Sequence, residues 1–433
     1  MAEGGGRDMT SPSIEITPLD GTGFHAGDLV SFAHSFPQSH VWKQKIGIAG
    51  IEPLQELHVL RRWPDTSIKH ALFVFELPDG IVEVPLRPHL VPGDTMRPLP
   101  ASTGLGLVDD VDFDVLVEID DFDPVSLRKA WTGPHRMWLK GDAVQERVLF
   151  VPLPHGLSLQ AAIRKNAGTG IVLDFAFENN MPSAQDRVYD VDITIYGRHG
   201  GHSIFRRSQI VHWRWTRWRW RRSLGKQKRQ YHVAYDPVAL AESGAILPFT
   251  KGINVPVWRP YLLYDHWHDA PRELLQPGLV VPDMGRTGGR DDIGPIPAWG
   301  ALDLLTGKPE MREVSLDCGT RAGVFPVHVN DESGSVLRID DPTHLGFVAS
   351  GKTLCPNYPD SAHHPSLAYL PYLMTGDAFY HDELAHWANW LMLSRHVSER
   401  GGTKGLVIPQ QIRGEAWALR TLGQAAWILR EDV

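Results

Sequence analysis

Apolar residues are spaced in two different ways along this chain, and the change between them constrains the fold more than any other feature of the sequence. From residue 14 to about 222, Val, Ile, Phe and Thr alternate with polar residues in short runs that end at Gly, Pro, Asp or Asn. Such runs are typical of β-strands, and their succession without helical spacing predicts a sandwich or a barrel. The clearest predicted strands are Val115–Ile119, Val148–Val151, Ile171–Phe177 and Val188–Ile195.

The second half of the chain has helical spacing, with apolar residues three and four positions apart. In LDLLTGKPEM and LPYLMTGDAFY, a Thr-Gly pair separates two helical runs, at Gly307 and Gly376. A glycine that ends one helix, with Asp377 able to cap the next, predicts an αα-hairpin. Repeated hairpins stack into toroids or solenoids. The predicted helices are Val238–Gly244, Pro297–Leu305, Ser366–Leu373, Tyr380–Leu393 and Gly414–Leu429.

The chain is therefore predicted to be an α+β protein of several domains, because 433 residues exceed what one hydrophobic core usually holds. An N-terminal all-β barrel or sandwich is followed by a partial (α/α) toroid of helical hairpins. Between them lies a stretch rich in Pro, Trp and Tyr without a clear period, which is typical of an ordered linker. The predicted parts are a disordered leader at 1–13, the all-β domain at 14–230, a surface-wrapping linker at 231–282 and the helical domain at 283–433.

Composition argues against several classes of protein. A net charge of −8 disfavours a general nucleic-acid binder, and no apolar run approaches the ~18 residues of a membrane helix. Residues 1–13 lack the apolar core of a secretory signal, so we expect a cytoplasmic or virion-associated protein. Cys318 and Cys355 are predicted to be buried free thiols. We expect neither a metal ion nor another cofactor, since no histidine or carboxylate spacing matches a metal pattern.

One local segment departs from the acidic average. Residues 206–229 carry ten Lys or Arg residues interleaved with Trp213, Trp215, Trp218 and Trp220. Strand alternation with a bulge near residue 216 would place aromatic rings on one face and basic groups on the other. Two interpretations remain open: a strand with buried indoles and stacked or solvated arginines, or a docking surface for an anionic polymer.

Two loops of the helical half are rich in charged residues, and the second also holds a histidine. Residues 284–297 hold Arg290 and Asp292, which could bind a ligand or form an ion-paired turn. Residues 325–341 hold His328 and Asp331, which could act in acid–base chemistry or be ordinary loop residues exposed to solvent.

The strongest candidate segment is DSAHHPSLAYLPYLMTGD, residues 360–377. His364 precedes a helix start, and Tyr369 and Tyr372 lie three residues apart on one helical edge. Histidine and tyrosine are the pair that β-elimination of a uronate uses, one to remove the proton next to the carboxylate and one to protonate the leaving oxygen. The alternative is a capped helix whose tyrosines lie in the core.

The last helix begins with a further polar group. Arg413, Glu415 and Trp417 could bind and stack on a sugar, or could cap the helix and pair with neighbours. We assign candidate substrate-binding roles to Arg290, Asp292, Asp331, Tyr372, Arg413 and Trp417, and candidate catalytic roles to His364, Tyr369, His328 and Glu415. Because hairpin loops and helix starts gather at one end of a stack, we expect Arg290, His328, His364, Tyr369 and Arg413 to share one concave face.

The segment LHVLRRWPDTSIKHALFVFEL, with Trp63, Asp65, Ser67 and Lys69, resembles the RWPDGS-K signature of the N-terminal β-barrel in the exo-rhamnogalacturonan-lyase family of polysaccharide lyases. Residues 364–390 resemble the αα-hairpins of (α/α)-toroid sugar enzymes, and similar uncharacterised proteins occur in bacteria and phages. Thr66 replaces the glycine of the signature. About 150 helical residues are too few for a closed six-hairpin toroid, which implies an open toroid, one completed by another chain, or a truncated one. No catalytic residue carries over by motif.

This resemblance implies a carbohydrate-active protein, either a polysaccharide lyase or a glycoside hydrolase, with an acidic polysaccharide as its partner. The alternative is a non-catalytic virion, tail or cell-surface structural protein that keeps the fold for carbohydrate binding or assembly.

Overall fold

The structure is a computed structural model of the chain. It describes residues 14–20, 24–26, 28–41, 46–48, 55–77, 90–92, 114–120, 122–166, 170–197, 200–225, 230–248, 254–282, 290–340, 354–360, 362–405 and 411–431. The predicted disordered leader at 1–13 and residues 284–289 of the first candidate loop lie outside the described residues.

The described chain is a mixed structure, with about 34% strand in several antiparallel sheets and 29% helix. The strands are β1 Ile14–Pro18, β2 Leu29–Ser35, β3 Ile46–Ile48, β4 Gln55–Arg62, β5 Ile68–Glu76, β6 Leu90–Pro92, β7 Asp114–Ile119, β8 Val125–Ser126, β9 His135–Lys140, β10 Val144–Pro152, β11 Ser158–Asn166, β12 Gly170–Glu178, β13 Arg187–Gly197, β14 Gly200–His212, β15 Arg217–Gly225 and β16 Tyr231–Tyr235. The helices are α1 Leu127–Ala130, α2 Pro237–Glu242, α3 Trp258–Asp269, α4 Ala298–Thr306, α5 Pro309–Thr320, α6 Tyr369–Thr375, α7 Ala378–Leu393 and α8 Ile412–Ile428.

The strands form antiparallel sheets in the orders β15-β12-β11-β10-β9, β14-β13-β7-β8 and β2-β5-β4, with two-stranded pairs β1-β16 and β3-β6. In the described part of the chain these sheets do not close into a barrel, so the barrel alternative is wrong. The five-stranded and four-stranded sheets face each other across one hydrophobic core, to which strands of both contribute alternate residues such as Phe175 and Ile193. The four predicted strands are confirmed as parts of β7, β10, β12 and β13.

The tryptophan and arginine segment is two strands rather than one. β14 ends at His212, a turn covers residues 213–216, and β15 begins at Arg217 in a different sheet. The turn contains Trp215 at φ +65°, and the Thr216 hydroxyl donates to the carbonyl of Trp213. The predicted bulge is therefore a sharp turn that carries the chain from one sheet to the other.

Both predicted Thr-Gly hairpins are confirmed. Gly307 ends α4 and Gly376 ends α6, each in the left-handed region with φ of 60° and 64°. Glycine adopts this conformation without the steric cost that a Cβ atom adds. Strand β16 and helix α3, by contrast, lie within the stretch predicted to be a linker, so that stretch contains regular structure.

Two large hydrophobic cores hold the molecule together, and each draws on both halves of the chain. One contains Phe32 and Phe73 of the three-stranded sheet together with Leu370 and Tyr372 of α6. The other contains Trp218 of β15 together with Trp299 of α4. Strands and helices therefore share both of these cores.

Candidate functional site

The outer face of the five-stranded sheet carries charged side chains and packs against α7. On β15, Trp218 points into the sheet-to-sheet core, whereas Arg217, Arg219 and Arg221 alternate with it on the opposite face. Arg217 Nη1 lies 3.0 Å from Glu178 Oε1 and Arg217 Nε lies 2.9 Å from Glu383 Oε1. All three side chains are almost completely buried, so the sheet and α7 are joined by ion pairs without solvent.

Asp377, the first residue after the α6–α7 turn, is the centre of a second group of ion pairs. Its carboxylate accepts from Arg164 Nη2 at 3.0 Å, Arg219 Nη2 at 3.1 Å and Arg221 Nη1 at 2.5 Å. Burial alone would raise the pKa of Asp377, but the three guanidinium groups outweigh it and hold the pKa well below its usual range. The Asp377 side chain therefore makes no capping hydrogen bond to the described backbone of α7, because its carboxylate faces the arginines.

Asp382, one turn further along α7, contacts strands β9 and β11. It accepts from Arg136 Nη2 at 2.8 Å, from Gln160 Nε2 at 2.7 Å and from His381 Nδ1 at 2.8 Å. Burial acts to raise its pKa, and Arg136 and His381 more than offset that effect, so the pKa lies well below its usual range. The acidic face of α7 thus matches the basic face of the sheet.

For Arg217, Arg219 and Trp218, these contacts favour the interpretation of the basic segment as a strand with buried side chains. Arg217 and Arg219 are committed to internal carboxylates, and Trp218 is 2% exposed. Trp213, Trp215 and Trp220 are half-buried. Arg221, whose side chain is 39% exposed, combines an internal partner with access to solvent.

Arg221 opens into a cleft of about 940 Å³ where the sheet, the β1-β16 pair and the α5–α7 region meet. Clefts of this size, in which polar groups converge, are the usual location of ligand sites. The polar residues among its described lining are Ser31, Arg164, Asn166, Arg221, Ser223, Gln230, Tyr231, His232, Tyr235, Glu310, Arg312, Glu313, Thr375, Asp377 and Tyr380.

Groups of both charges face the cleft. On the sheet wall Arg221 is flanked by the neutral side chains Asn166 and Ser223, while Glu310 and Glu313 lie on the first turns of α5 at the other wall. Arg312 also lines the cleft, but its Nε donates to the buried Asp303 at 2.6 Å. The cleft therefore offers a guanidinium for an anionic group and carboxylates for hydroxyl donors.

Three tyrosines form part of the cleft surface and are hydrogen-bonded through their hydroxyl groups. Tyr231 donates to Asp28 at 2.9 Å, Tyr235 to the carbonyl of Met374 at 2.8 Å and Tyr380 to the carbonyl of Leu316 at 2.9 Å. Burial raises the pKa of Tyr235 and Tyr380 above the usual value. Both remain phenols at neutral pH and so act as donors rather than as bases.

The candidate residues of segment 360–377 lie elsewhere, in the protein interior. Tyr369 is 2% exposed and its hydroxyl donates to the carbonyl of Ala245 at 2.5 Å, while burial raises its pKa. His364 is 2% exposed, lies 3.1 Å from the Thr421 hydroxyl through Nε2 and stacks on Trp387. Tyr372 is fully buried. These contacts favour the core alternative for all three residues.

The charged residues of the two candidate loops are paired locally. Arg290 Nη2 lies 2.6 Å from Asp292 Oδ2, and both side chains are buried. Asp331 accepts hydrogen bonds from Ser333 and Ser335 within one turn. These contacts favour the ion-paired turn and the loop alternative. His328 is different, since its Nε2 lies 2.8 Å from Glu383 in the buried ion-pair layer.

A polar chain is present at the start of α8. Arg413 donates to His363 Nε2, and His363 Nδ1 donates to Asp360 at 2.5 Å. Glu415 and Trp417 on the next turn are half-buried. His363, adjacent to the predicted His364, is thus the histidine of this segment that lies between two charged side chains. Its three-residue spacing from Asp360 was the sequence signal for this contact.

Several predicted segments do meet around α8. Arg420 donates to the carbonyl of Gly294 at 2.6 Å and to the carbonyl of His364 at 2.8 Å, which joins segments 284–297 and 360–377. None of the ten predicted site residues, however, is among the described lining of the cleft. The cleft residues that were not predicted as site residues include Arg221, from the basic segment, and Asp377 and Tyr380, from the hairpin turn and the helix after it.

The motif at residues 62–69 forms the β4–β5 turn and contacts the last helix. Asp65 accepts from the backbone and the hydroxyl of Ser67, and Lys69 Nζ lies 4.1 Å from the ring centre of Trp63 and 4.4 Å from that of Trp427. Thr66, which replaces the signature's glycine, has φ +70°, a conformation that glycine adopts readily. In this structure the motif therefore stabilises a turn and the packing of α8.

Cys318 and Cys355 are buried free thiols, as predicted. Within the described ranges, no group of three or more His, Cys, Asp or Glu side chains is arranged to hold a metal ion. No helix in the same part of the chain is long and apolar enough to span a bilayer. Comparison with protein-family models, with curated proteins and with solved structures finds no match to this chain.

Proposed function

We propose that this chain is a carbohydrate-active protein that holds an acidic glycan in the cleft between the five-stranded sheet and α5–α7. The observation that carries the proposal is the position of Arg221, a partly exposed guanidinium at the mouth of a cavity of about 940 Å³. A uronate carboxylate is a planar acceptor that an arginine binds through two parallel hydrogen bonds. The sequence resemblance to a polysaccharide-lyase family supports the same class of ligand.

The remaining lining supports a sugar rather than a simple anion. Sugar hydroxyl groups donate to carboxylates, which Glu310 and Glu313 supply, and accept from side-chain amides such as Asn166. The phenol of Tyr380 stays protonated because burial raises its pKa. Carboxylates and a phenol are groups that acid–base catalysis requires, so we propose a lyase or hydrolase reaction in this cleft. We further propose that hairpins α4–α5 and α6–α7 belong to a partial (α/α) toroid.

The binding test uses two neighbouring arginines. Arg221→Gln removes the guanidinium at the cleft, whereas Arg222→Gln removes an exposed one on the opposite face of β15 that donates to the carbonyl of Ile204. We expect Arg221→Gln to weaken binding of an acidic polysaccharide by roughly tenfold to a hundredfold, because a hydrogen bond to a charged group contributes about 1.5–3 kcal/mol. Isothermal titration of polygalacturonate, alginate and hyaluronan on all three proteins measures this. Equal affinities for the two variants would refute the proposed site.

The reaction is tested with the same three polymers. A lyase releases unsaturated uronates, which absorb in the ultraviolet, and a hydrolase releases new reducing ends without that absorbance. Binding that depends on Arg221 without either product would favour the alternative of a binding or assembly module. No binding of any of the three polymers would contradict the acidic-glycan proposal itself.

A further inference from the structure

The outward face of α3 carries large apolar side chains that no described residue covers. Val257 is 79% exposed, Trp258 61%, Tyr261 51% and Leu262 39%. Trp258, Tyr261 and Leu262 lie three and four positions apart, so they form one stripe along the first half of the helix. Among the tryptophans that the structure describes, Trp258 alone is this exposed. Exposed aromatic patches mark binding surfaces more often than scattered aliphatic residues do.

This aromatic face adjoins the wall of the cleft. Lys308 Nζ donates to the Tyr261 hydroxyl at 3.2 Å and lies 4.7 Å from the centre of its ring. Lys308 immediately precedes Pro309, which lines the cleft. One turn further along α3, the Tyr264 hydroxyl donates to Glu313 at 3.1 Å, and Glu313 also lines the cleft. The surface from Trp258 to the cleft is therefore continuous across the start of α5.

We propose that Trp258 and Tyr261 form a platform that binds the part of a glycan chain lying outside the cleft. This inference rests on the proposed function and adds to it that the substrate is a polymer rather than a disaccharide. The apolar C–H faces of sugar rings pack on exposed aromatic rings, and the hydroxyl groups around them remain in water. Lys308, whose Nζ lies over the Tyr261 ring at 4.7 Å from its centre, supplies a cation for a uronate carboxylate.

The size of the patch favours a glycan over a protein partner. Four side chains with these exposures present roughly 450 Å² of surface, given ~150–250 Å² for a large side chain. A stable protein interface buries about 800 Å² on each partner. A single polysaccharide strand, which needs only a narrow row of contacts, matches the stripe on α3 and its continuation into the cleft.

The test compares polymer with disaccharide on matched variants. Trp258→Ala and Tyr261→Ala are each expected to weaken binding of the polymers by roughly tenfold, the usual share of one well-placed aromatic contact, and to leave disaccharide affinity unchanged. The probes are polygalacturonate, alginate and hyaluronan, each with its own disaccharide. Tyr196→Ala, which removes a 42%-exposed tyrosine on β13, is the control and should bind the polymers like the wild type. Thermal melts should be unchanged in all three variants, because these side chains are exposed.

A second readout does not depend on affinity. Iodide quenches exposed indoles, so the difference between the wild type and Trp258→Phe reports Trp258 alone, and polymer should reduce that quenching while disaccharide should not. Equal polymer affinity in the wild type and both platform variants would overturn the proposal, as would a change in molecular mass showing that the face joins two copies. If the wild type binds disaccharide but prefers no polymer, the platform fails and the cleft proposal stands. If it binds neither, the proposed function fails.

Discussion

Asp377→Asn tests whether the arginine cluster holds the α6–α7 hairpin on the sheet. The substitution keeps the side-chain shape but removes the negative charge that Arg164, Arg219 and Arg221 share. Arg164 keeps Glu146, and Arg219 and Arg221 share Asp174, so the cluster is left with three cations and two carboxylates. Unbalanced buried charge is among the most destabilising consequences of a single substitution.

The magnitude follows from the burial of the pair. Breaking a buried ion pair costs about 3–5 kcal/mol, and the 39% exposure of Arg221 lets that guanidinium regain some hydration, so we expect about 3 kcal/mol. An unfolding entropy of ~2.1 cal/mol/K per residue gives a 433-residue chain ~0.9 kcal/mol/K if it unfolds as one unit. The expected fall in Tm is therefore only about 3 °C, and chemical denaturation resolves the change better.

The pH dependence has a definite sign. The folded pKa of Asp377 lies below the unfolded value of 3.8, so its contribution to stability is present above that pH and is lost as the pH falls below it. The difference in unfolding free energy between the wild type and Asp377→Asn should therefore be constant at neutral pH and shrink below about pH 4.

Urea unfolding followed by circular dichroism measures these free energies. Asp236→Asn is the control, because Asp236 caps α2 by accepting from the backbone of Val238, and asparagine caps equally well. Combining Asp377→Asn with Arg221→Gln removes the excess cation, so the double variant should be more stable than the sum of the single effects predicts. An Asp377→Asn cost below 1 kcal/mol, or strict additivity with Arg221→Gln, would show that the arginine cluster does not hold the α6–α7 hairpin on the sheet.

Two other substitutions test the core and the turns. His34→Phe should leave the unfolding free energy at pH 7 equal or higher, because both ring nitrogens of His34 are buried without a hydrogen bond to any described residue. Burial, with His70 nearby, lowers the pKa of His34 to about 3. The wild type should therefore lose stability between pH 6.5 and pH 4 that the variant keeps, and unfolding free energies measured at pH 7 and pH 5 would show this loss. Gly376→Ala should lower the unfolding free energy, measured by denaturant titration, by about 1–3 kcal/mol more than Gly402→Ala does. Both glycines have φ near +65°, but an added Cβ would lie 2.8 Å from Leu60 at Gly376 and would contact no described atom at Gly402. Equal losses would show that backbone strain alone matters.

The ion-pair layer between the sheet and α7 differs from the apolar packing that usually joins a helix to a sheet. Replacing a buried ion pair by apolar residues is often neutral or stabilising, so the charges on Arg217, Glu178 and Glu383 are not required for stability alone. They do specify how α7 lies on the sheet, since a shift by one residue would place a carboxylate against an apolar position. A fixed α7 in turn holds Asp377 and Tyr380 at the cleft.

The local structure can be predicted from short stretches of the sequence. Alternating residues define strands such as β12, and the glycines at 307 and 376 end helices, because these choices depend on neighbours within a few positions. The pattern missed α3, which buries only Pro260, Leu263 and Trp267 and exposes its aromatic stripe, so its apolar spacing has no single buried face. It also read residues 206–229 as one strand, since a turn without glycine or proline gives little local signal.

Which distant residues contact each other depends on the tertiary structure. Arg164 and Asp377 are separated by 213 positions, and Arg221 and Asp377 by 156, yet each pair forms a hydrogen bond. Residue spacing gives the face on which a side chain lies but not the distant segment that will cover that face. Tyr369 and Arg221 illustrate the consequence: the tyrosine with catalytic spacing faces the carbonyl of Ala245 in the core, and the arginine from the basic strand opens into the cleft. Burial and partner choice depend on how the sheets and hairpins pack together, and that packing is a property of the whole chain.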